Sequence, residues 1–525
     1  MQLYGGMDMK KIILCLFCLI GLTALAEGYF KNLKEIAPDS KLSMKGEKEW
    51  YREAVFYHIW VKAFNDSNGD GVGDINGVTE KMDYLKELGI NAIWLSPIFD
   101  CAFKGKTMHG YDTVDFYKIN SKFGNEEDID KMLTKAHQNG IRVIFDFVPN
   151  LTSDNHPWFT DAKKGGSKKD WYVWEKNPSQ NWEKAWGGGS WEEVWNRYGD
   201  EYYYSAYYSG MPDLNFRNSE VRDEMANVVI YWLNRGFDGT RVDSARYLFE
   251  NGPGQAADQK ETHDYYKAIT KEVINKYGDI GYGKMTVTES WTTFENIKEY
   301  YGNGKDEFSM AFDFPRVDRM TDAISMTSGA SGKLVTDYIE EQNSSYPEGF
   351  CAATFLSNHD LAGSRPATIY KGNQEKEIAV AALHLFLSGT PFIYYGNEIG
   401  MRDGNYEDDM KMRTKMEWNK SCDSNIVLQK YKEFINIRKS RKSIMLGKFE
   451  RVKCSNSKIF IFEREYKGEK TFVAINCSKN SENGKSKADY DNTKIIYGNG
   501  EKINIKSDNI EIKEMKPNEV IVWGN

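Results

Sequence analysis

Between residues 55 and 395 the sequence repeats one alternation, a short apolar run followed by a stretch of helical periodicity. The runs fall at 55–59, 91–95, 142–148, 238–242, 285–288, 310–314, 352–356 and 391–395. Between them, 78–88 places Met82, Leu85 and Leu88 on one helical face, and 129–139 and 221–235 follow similar periods. Strands that alternate with helices imply right-handed βαβ units and a parallel sheet. Eight such strands are the number that closes a barrel, so the expected class is α/β, a (β/α)8 barrel.

Two stretches break the rhythm. Residues 151–212, after the third strand, hold Trp171, Trp174, Trp182, Trp186, Trp191 and Trp195 and a run of tyrosines from Tyr198 to Tyr208. The segment is too long for a plain loop and too polar for another βα unit, so it is read as an inserted subdomain over the C-terminal rim. Most of its aromatics are expected to pack that subdomain, and some to line a groove. From about residue 443, short alternating strands follow one another without helices, which predicts a separate antiparallel β-sandwich domain over 443–525. The barrel then comprises 49–150 and 213–442.

The N-terminus reads as a targeting segment. Lys10 and Lys11 precede an apolar run from Ile12 to Leu22, and Ala24-Leu25-Ala26 gives a small-residue cleavage site. The run is too short to span a bilayer, so 1–26 is expected to be a signal peptide, the protein exported, secreted or periplasmic, without a stable membrane anchor. Residues 27–48 read as a loose polar leader. The net charge of −8, with no long basic run, argues against nucleic acid as a partner. Cys101, Cys351, Cys422, Cys454 and Cys477 lie outside the leader, scattered, with neither metal-ligand spacing nor a disulfide framework. A monomer is expected.

The chemistry concentrates at strand ends. Arg241 and Asp243, two apart on the fourth strand, point to one side. A guanidinium beside a carboxylate favours the ionised form, as a nucleophile requires. An isolated pair of this kind is usually an ordinary salt bridge. Here Glu289 and Asp360 also follow barrel strands, with His359 beside Asp360. Side chains at one rim of a barrel converge, and an ionised Asp beside a protonatable Glu is the minimum machinery for glycoside hydrolysis.

On these residues the chain resembles the α-amylase family, glycoside hydrolase family 13, from about Tyr51 onward. The matching stretches are 146–150, 236–243, 287–291 and 355–360, joined by 109–112, 211–215, 389–401 and 413–418. The resemblance implies a TIM barrel on which Asp243 is the nucleophile, Glu289 the general acid/base and Asp360 a transition-state-stabilising carboxylate. It further implies that Arg241 and His359 hold the reacting sugar, that Tyr111 stacks beneath it and that Asp112 binds its hydroxyls. Retention of configuration would set the Asp243 and Glu289 carboxyls about 5–5.5 Å apart. One departure stands out: where the family has His after Asn150, this chain has Leu151. Leucine cannot donate a hydrogen bond to the sugar, a loss of roughly 1–3 kcal/mol.

Asp66, Asn68, Asp70 and Asp74 alternate through a glycine-rich loop, with the Val72 carbonyl between them. Oxygen ligands at this spacing predict Ca2+. A second family calcium site is not expected, because Tyr247 occupies its place. The expected activity is a retaining α-amylase cleaving α-1,4 bonds in starch, maltodextrins or maltooligosaccharides. The alternatives are an exo-acting α-glucosidase, oligosaccharide hydrolase or transglycosylase and, from another class, a non-catalytic glucan-binding protein.

Overall fold

The computed structural model describes residues 28–102, 109–325 and 332–525, so the expected signal segment lies outside it. Eight parallel strands close the barrel: β1 (Phe56–Ile59), β2 (Ala92–Leu95), β3 (Arg142–Phe147), β4 (Gly239–Val242), β5 (Met285–Thr288), β6 (Met310–Phe312), β7 (Ala352–Phe355) and β8 (Thr390–Tyr394). Each strand neighbours the next in sequence, and β8 closes on β1 with Phe56 opposite Phe392. The chain therefore has the TIM-barrel fold its alternation predicts.

The pleat sorts residues between two cores. Phe56, Trp94, Ile144, Val287, Phe312, Phe355 and Phe392 fill the barrel interior, whereas Tyr57, Ile59, Ile93, Leu95, Val143 and Phe145 join the helices outside. Phe56 and Phe392 stack at 4.2 Å across the closure. Helix Ser219–Arg235 begins at Asn218, whose side chain accepts from Glu220 N–H, and stops at Gly236 with φ 125°. A side chain there would also meet the Leu42 carbonyl, so the glycine both ends the helix and admits the N-terminal segment.

That segment is not loose. Asp223 accepts from the backbone N–H of Lys31 and Asn32, Asn227 from Lys34, and Asn234 from Ala37. Polar side chains of one helix thus act as the partner strand that residues 31–37 lack, and Gly46 bridges to Tyr282 farther on. Nothing in the local composition of 28–48 signals this, because the partners lie nearly two hundred residues away.

In the insertion, a three-stranded antiparallel sheet packs around Trp182, Val194, Trp195 and Tyr204. The C-terminal region forms two antiparallel sheets. One has the order β9 (Lys448–Val452), β10 (Ile459–Tyr466), β11 (Glu469–Asn476), β16 (Val520–Gly524), β13 (Lys494–Tyr497); the other has β12 (Glu482–Lys487), β15 (Asn509–Met515), β14 (Ile503–Ile505). Ile461, Phe472 and Trp523 of the first meet Ile503, Ile510 and Ile512 of the second. Cys101, Cys351, Cys422, Cys454 and Cys477 form no disulfide. Among the described residues no helix is long and apolar enough to cross a membrane.

Candidate active site

The C-terminal ends of the barrel strands open into a groove of about 970 Å³. Strand β4 sets its floor. Arg241, 1% exposed, reaches three carboxylates: Nη1 lies 2.8 Å from Asp146 Oδ1 and 2.6 Å from Asp243 Oδ1, and Nη2 lies 2.6 Å from Glu289 Oε2. Asp146 comes from β3 and also accepts from Trp94 Nε1 of β2 at 3.1 Å. Four neighbouring strands, β2 to β5, are thereby tied beneath one guanidinium.

The loop after β7 brings the other half. His359 Nε2 lies 2.9 Å from Asp360 Oδ2 and contacts the Tyr111 hydroxyl, while the Tyr111 ring stacks at 5.7 Å on the His359 ring. Arg413 holds this loop from the far side: Nη2 lies 2.8 Å from Asp360 Oδ1, and Nε donates to the His359 carbonyl at 2.9 Å. Asp112 lines the same groove. Tyr111, Asp112, Arg241, Asp243, Glu289, His359 and Asp360 are thus gathered at one rim.

The carboxyls are driven apart in proton affinity. Burial pushes Glu289 well above its ordinary range; Arg241 opposes this, but Asp243 and Asp360 add to it, and Asp243 is hydrogen-bonded to Glu289. Burial would also raise Asp360, yet His359, Arg413 and Arg241 together hold it well below the usual carboxylate range. Asp146, fully enclosed, is pushed up to about 7 by burial, which Arg241 only partly offsets. A carboxyl raised in proton affinity, Glu289, beside one lowered, Asp360, is the pattern of acid/base assignment.

Arg413 is the functional residue that strand-end reasoning missed. It lies in a stretch singled out by resemblance, but no local spacing links it to Asp360, 53 residues earlier. Leu151 faces the groove from an apolar patch with Val148 and Met211, against Tyr111 and Tyr207. His156 offers no substitute for it. Its Nδ1 accepts from Trp158 N–H to cap a helix, and burial lowers its pKa to about 4. The insertion is anchored close by, where Asp213 accepts from Asn150 Nδ2 and Ala206 N–H. Of its aromatics, Trp186, Tyr207 and Tyr208 reach the groove.

The predicted calcium residues lie apart from the groove. Asp66 accepts from the Gly69 and Gly71 N–H groups, Asn68 from Asp70, and Asp70 from Val72, each at 2.8 Å. Asp74 is buried and caps helix Ile75–Glu80 through Gly77 N–H. Among the described residues, no three His, Cys, Asp or Glu side chains are already gathered as a metal cluster. The carboxylate oxygens of Asp66 and Asp70 are engaged by the loop's own backbone.

A (β/α)8 barrel carrying these carboxylates at the C-terminal ends of its strands has the architecture of a glycoside hydrolase. The alpha amylase catalytic domain matches residues 58–445, and the chain belongs to the alpha-amylase family of glycoside hydrolases, which act on α-glucosidic bonds. It is 32% identical to Alpha-amylase 3 of Dictyoglomus thermophilum over 82% of this chain and 86% of that one. It is 30% identical to the oligo-1,6-glucosidase of Heyndrickxia coagulans over 86% and 96% of the two chains. The crystal structure of the alpha-amylase from H. orenii superposes with a TM-score of 0.74 at 28% identity, covering 90% of this chain and 99% of that one.

Proposed function

We propose that the protein is a retaining α-amylase that cuts internal α-1,4 bonds of starch, maltodextrins and maltooligosaccharides. The observation that carries this reading is the Asp243–Glu289 pair on one guanidinium. Two carboxyls each held 2.6 Å from a terminal nitrogen of the same guanidinium suit the close spacing of double displacement.

In the first step a carboxylate oxygen of Asp243 attacks the anomeric carbon. The glycosidic C–O bond breaks, and the Glu289 proton passes to the leaving oxygen. In the second, Glu289 takes a proton from water as that water attacks the anomeric carbon and releases the Asp243 ester. Asp360, kept ionised by His359 and Arg413, faces the positive charge that develops on the sugar. Tyr111 offers a ring beneath that sugar, and Asp112 and His359 offer it hydrogen bonds.

Digestion of maltoheptaose, with product sizes followed over time, tests the reading. Early mixtures of intermediate lengths are expected. Glucose released alone would replace it with an exo-acting α-glucosidase, the alternative that the oligo-1,6-glucosidase relatives favour. Products longer than the substrate would indicate transglycosylation. Folded protein that binds glucan without turnover would make it a non-catalytic binder. We further propose that Asp66, Asn68, Asp70, the Val72 carbonyl and Asp74 hold a stabilising Ca2+, and that residues 1–26 direct export.

A further inference from the structure

At the end of the barrel opposite the groove, three arginines converge on one turn. Helix Gln374–Phe386 stops there, and the last carbonyls of a helix have no partner within it. Arg438 donates from Nη1 to the Leu385 carbonyl and from Nη2 to the Gly389 carbonyl, both at 2.8 Å. Arg464, on β10, donates from Nη1 to the Phe386 carbonyl at 3.0 Å and from Nη2 to the Gly447 carbonyl at 2.7 Å. Arg316 Nη1 donates to the Ser388 carbonyl at 2.6 Å. A helix C-terminus carries about half a negative charge, too little for three guanidiniums.

Of the three, Arg316 has a carboxylate, Asp313, whose Oδ2 lies 2.8 Å from its Nε. Arg438 and Arg464 have none among the described residues, and the Nε–H of each lacks an acceptor there. Arg464 is 1% exposed. Burial lowers its pKa, and Arg438 and Arg316 lower it further. A guanidinium stays charged all the same, so this turn gathers positive charge that the chain does not balance.

A cleft of about 670 Å³ opens beside the turn, between the start of β7 and β8 and the C-terminal sheet. Arg316 and Arg464 line its buried side, and Arg52, Lys305 and Lys448 complete its cations. The two lysines are exposed and form no ion pair among the described residues. Against these five stand Glu49, already paired with Arg52 at 2.9 Å, and Glu348. Tyr346, Phe350, Met445 and Phe449 give the cleft an apolar wall. Arginine forks suit phosphate oxygens, and the volume exceeds what phosphate alone would fill, which leaves the wall for an organic body.

We propose that this cleft binds a small phosphate monoester with an aromatic or apolar body. The cations take the phosphate, and the wall takes the body. Because the lining comes from both the barrel and the C-terminal sheet, the ligand fastens one to the other, and its occupancy acts on stability.

Titration calorimetry on the full chain tests the site, with phenyl phosphate, inorganic phosphate and phenol at one ionic strength. One phenyl phosphate per chain is expected, bound about 10-fold more tightly than inorganic phosphate, with phenol not bound. The melting temperature should rise with phenyl phosphate concentration. Lys305→Ala combined with Lys448→Ala should weaken binding about 10-fold, and Arg464→Gln should weaken it at least as much. Should Arg464→Gln fail to fold, the two exposed lysines decide alone. Phenyl phosphate that does not bind overturns the proposal, as does binding unchanged in the lysine double variant. Equal affinity for inorganic phosphate and phenyl phosphate overturns the monoester and leaves the bare anion as the ligand.

Discussion

Strand β4 has a carboxylate at each end, and the protein treats the two in opposite ways. Asp238, at the foot, is 0% exposed and has every oxygen engaged: Arg142 Nη1 at 2.7 Å, His137 Nε2 at 2.8 Å and Val143 N–H at 2.9 Å. Burial alone would raise its pKa, but His137, Lys284 and Arg142 bring it down to about 2. At the head, three carboxyls (Asp243, Glu289 and Asp146) share Arg241, and Asp360 stands beside His359 and Arg413. The foot has cations enough for its single carboxylate, so nothing there needs to move. The head has more carboxyls than cations, and Glu289 is pushed well toward its protonated form. Charge balance and access to the groove separate a brace from a site poised to pass a proton, although the residue types are alike.

The largest expected effect lies at the head. Asp243→Asn removes the attacking oxyanion while keeping the side chain's shape. It should lower kcat on maltoheptaose by about 10^4-fold or more, with the melting temperature little changed. A loss below about 10-fold would remove Asp243 from the chemistry.

At the foot the same substitution should act on stability alone. Asp238→Asn leaves the Arg142 guanidinium buried without its counter-ion, at a cost of about 3–5 kcal/mol in denaturant unfolding, while kcat per folded molecule stays the same. The pH dependence has a definite sign. Asp238 is depressed when folded, so its contribution of roughly 2 kcal/mol is present above the unfolded value near 3.8 and lost as pH falls toward 2. Acid unfolding of Asp238→Asn should be correspondingly shallower across that window.

Glu289 gives the opposite sign. Its carboxyl is raised when folded, so the native state holds a proton that the unfolded chain releases, and stability falls as pH rises above the unfolded value. A neutral amide relieves that penalty. Glu289→Gln should therefore raise stability at neutral pH by about 1–2 kcal/mol while lowering kcat by 10^2-fold or more. The wild-type rate should fall on the alkaline side as Glu289 loses its proton. A less stable Glu289→Gln protein would show that Glu289 braces the fold as Asp238 does.

How much of this was legible depended on the distance between partners. The barrel strands could be read because each is a short apolar run, and Asp243, Glu289 and Asp360 because each follows one within a few residues. Arg413 could not be tied to Asp360, nor residues 31–37 to Asp223 and Asn227, because only the closed fold brings them together. Strand β12, Glu-Asn-Gly-Lys-Ser-Lys, carried no signal for a different reason: the positions it buries are Gly484 and Ser486, which do not read as apolar alternation. Strand β9 carries a similarly weak signal, since Lys448–Val452 buries only Phe449 and Val452 and breaks period two.

The smallest expected effect concerns a third group of carboxylates, in the 66–74 loop. Here the backbone takes the place that Arg241 and Arg142 occupy elsewhere, since Asp66 and Asp70 accept from N–H groups of their own loop. Amide dipoles do not neutralise two nearby carboxylates, and each carboxylate oxygen has a second lone pair available to a cation. Ca2+ would complete the charge balance without changing the loop's path. With affinity in the range of extracellular sites, millimolar calcium should contribute about 1 kcal/mol, read as a melting temperature roughly 2 °C higher with calcium than with EDTA. Asp70→Asn should erase most of that difference and leave kcat on maltoheptaose unchanged, because the loop does not line the groove. A melting temperature indifferent to both calcium and EDTA would mean that the N–H bonds alone hold the loop, making it a helix-capping turn through Asp74 rather than a metal site.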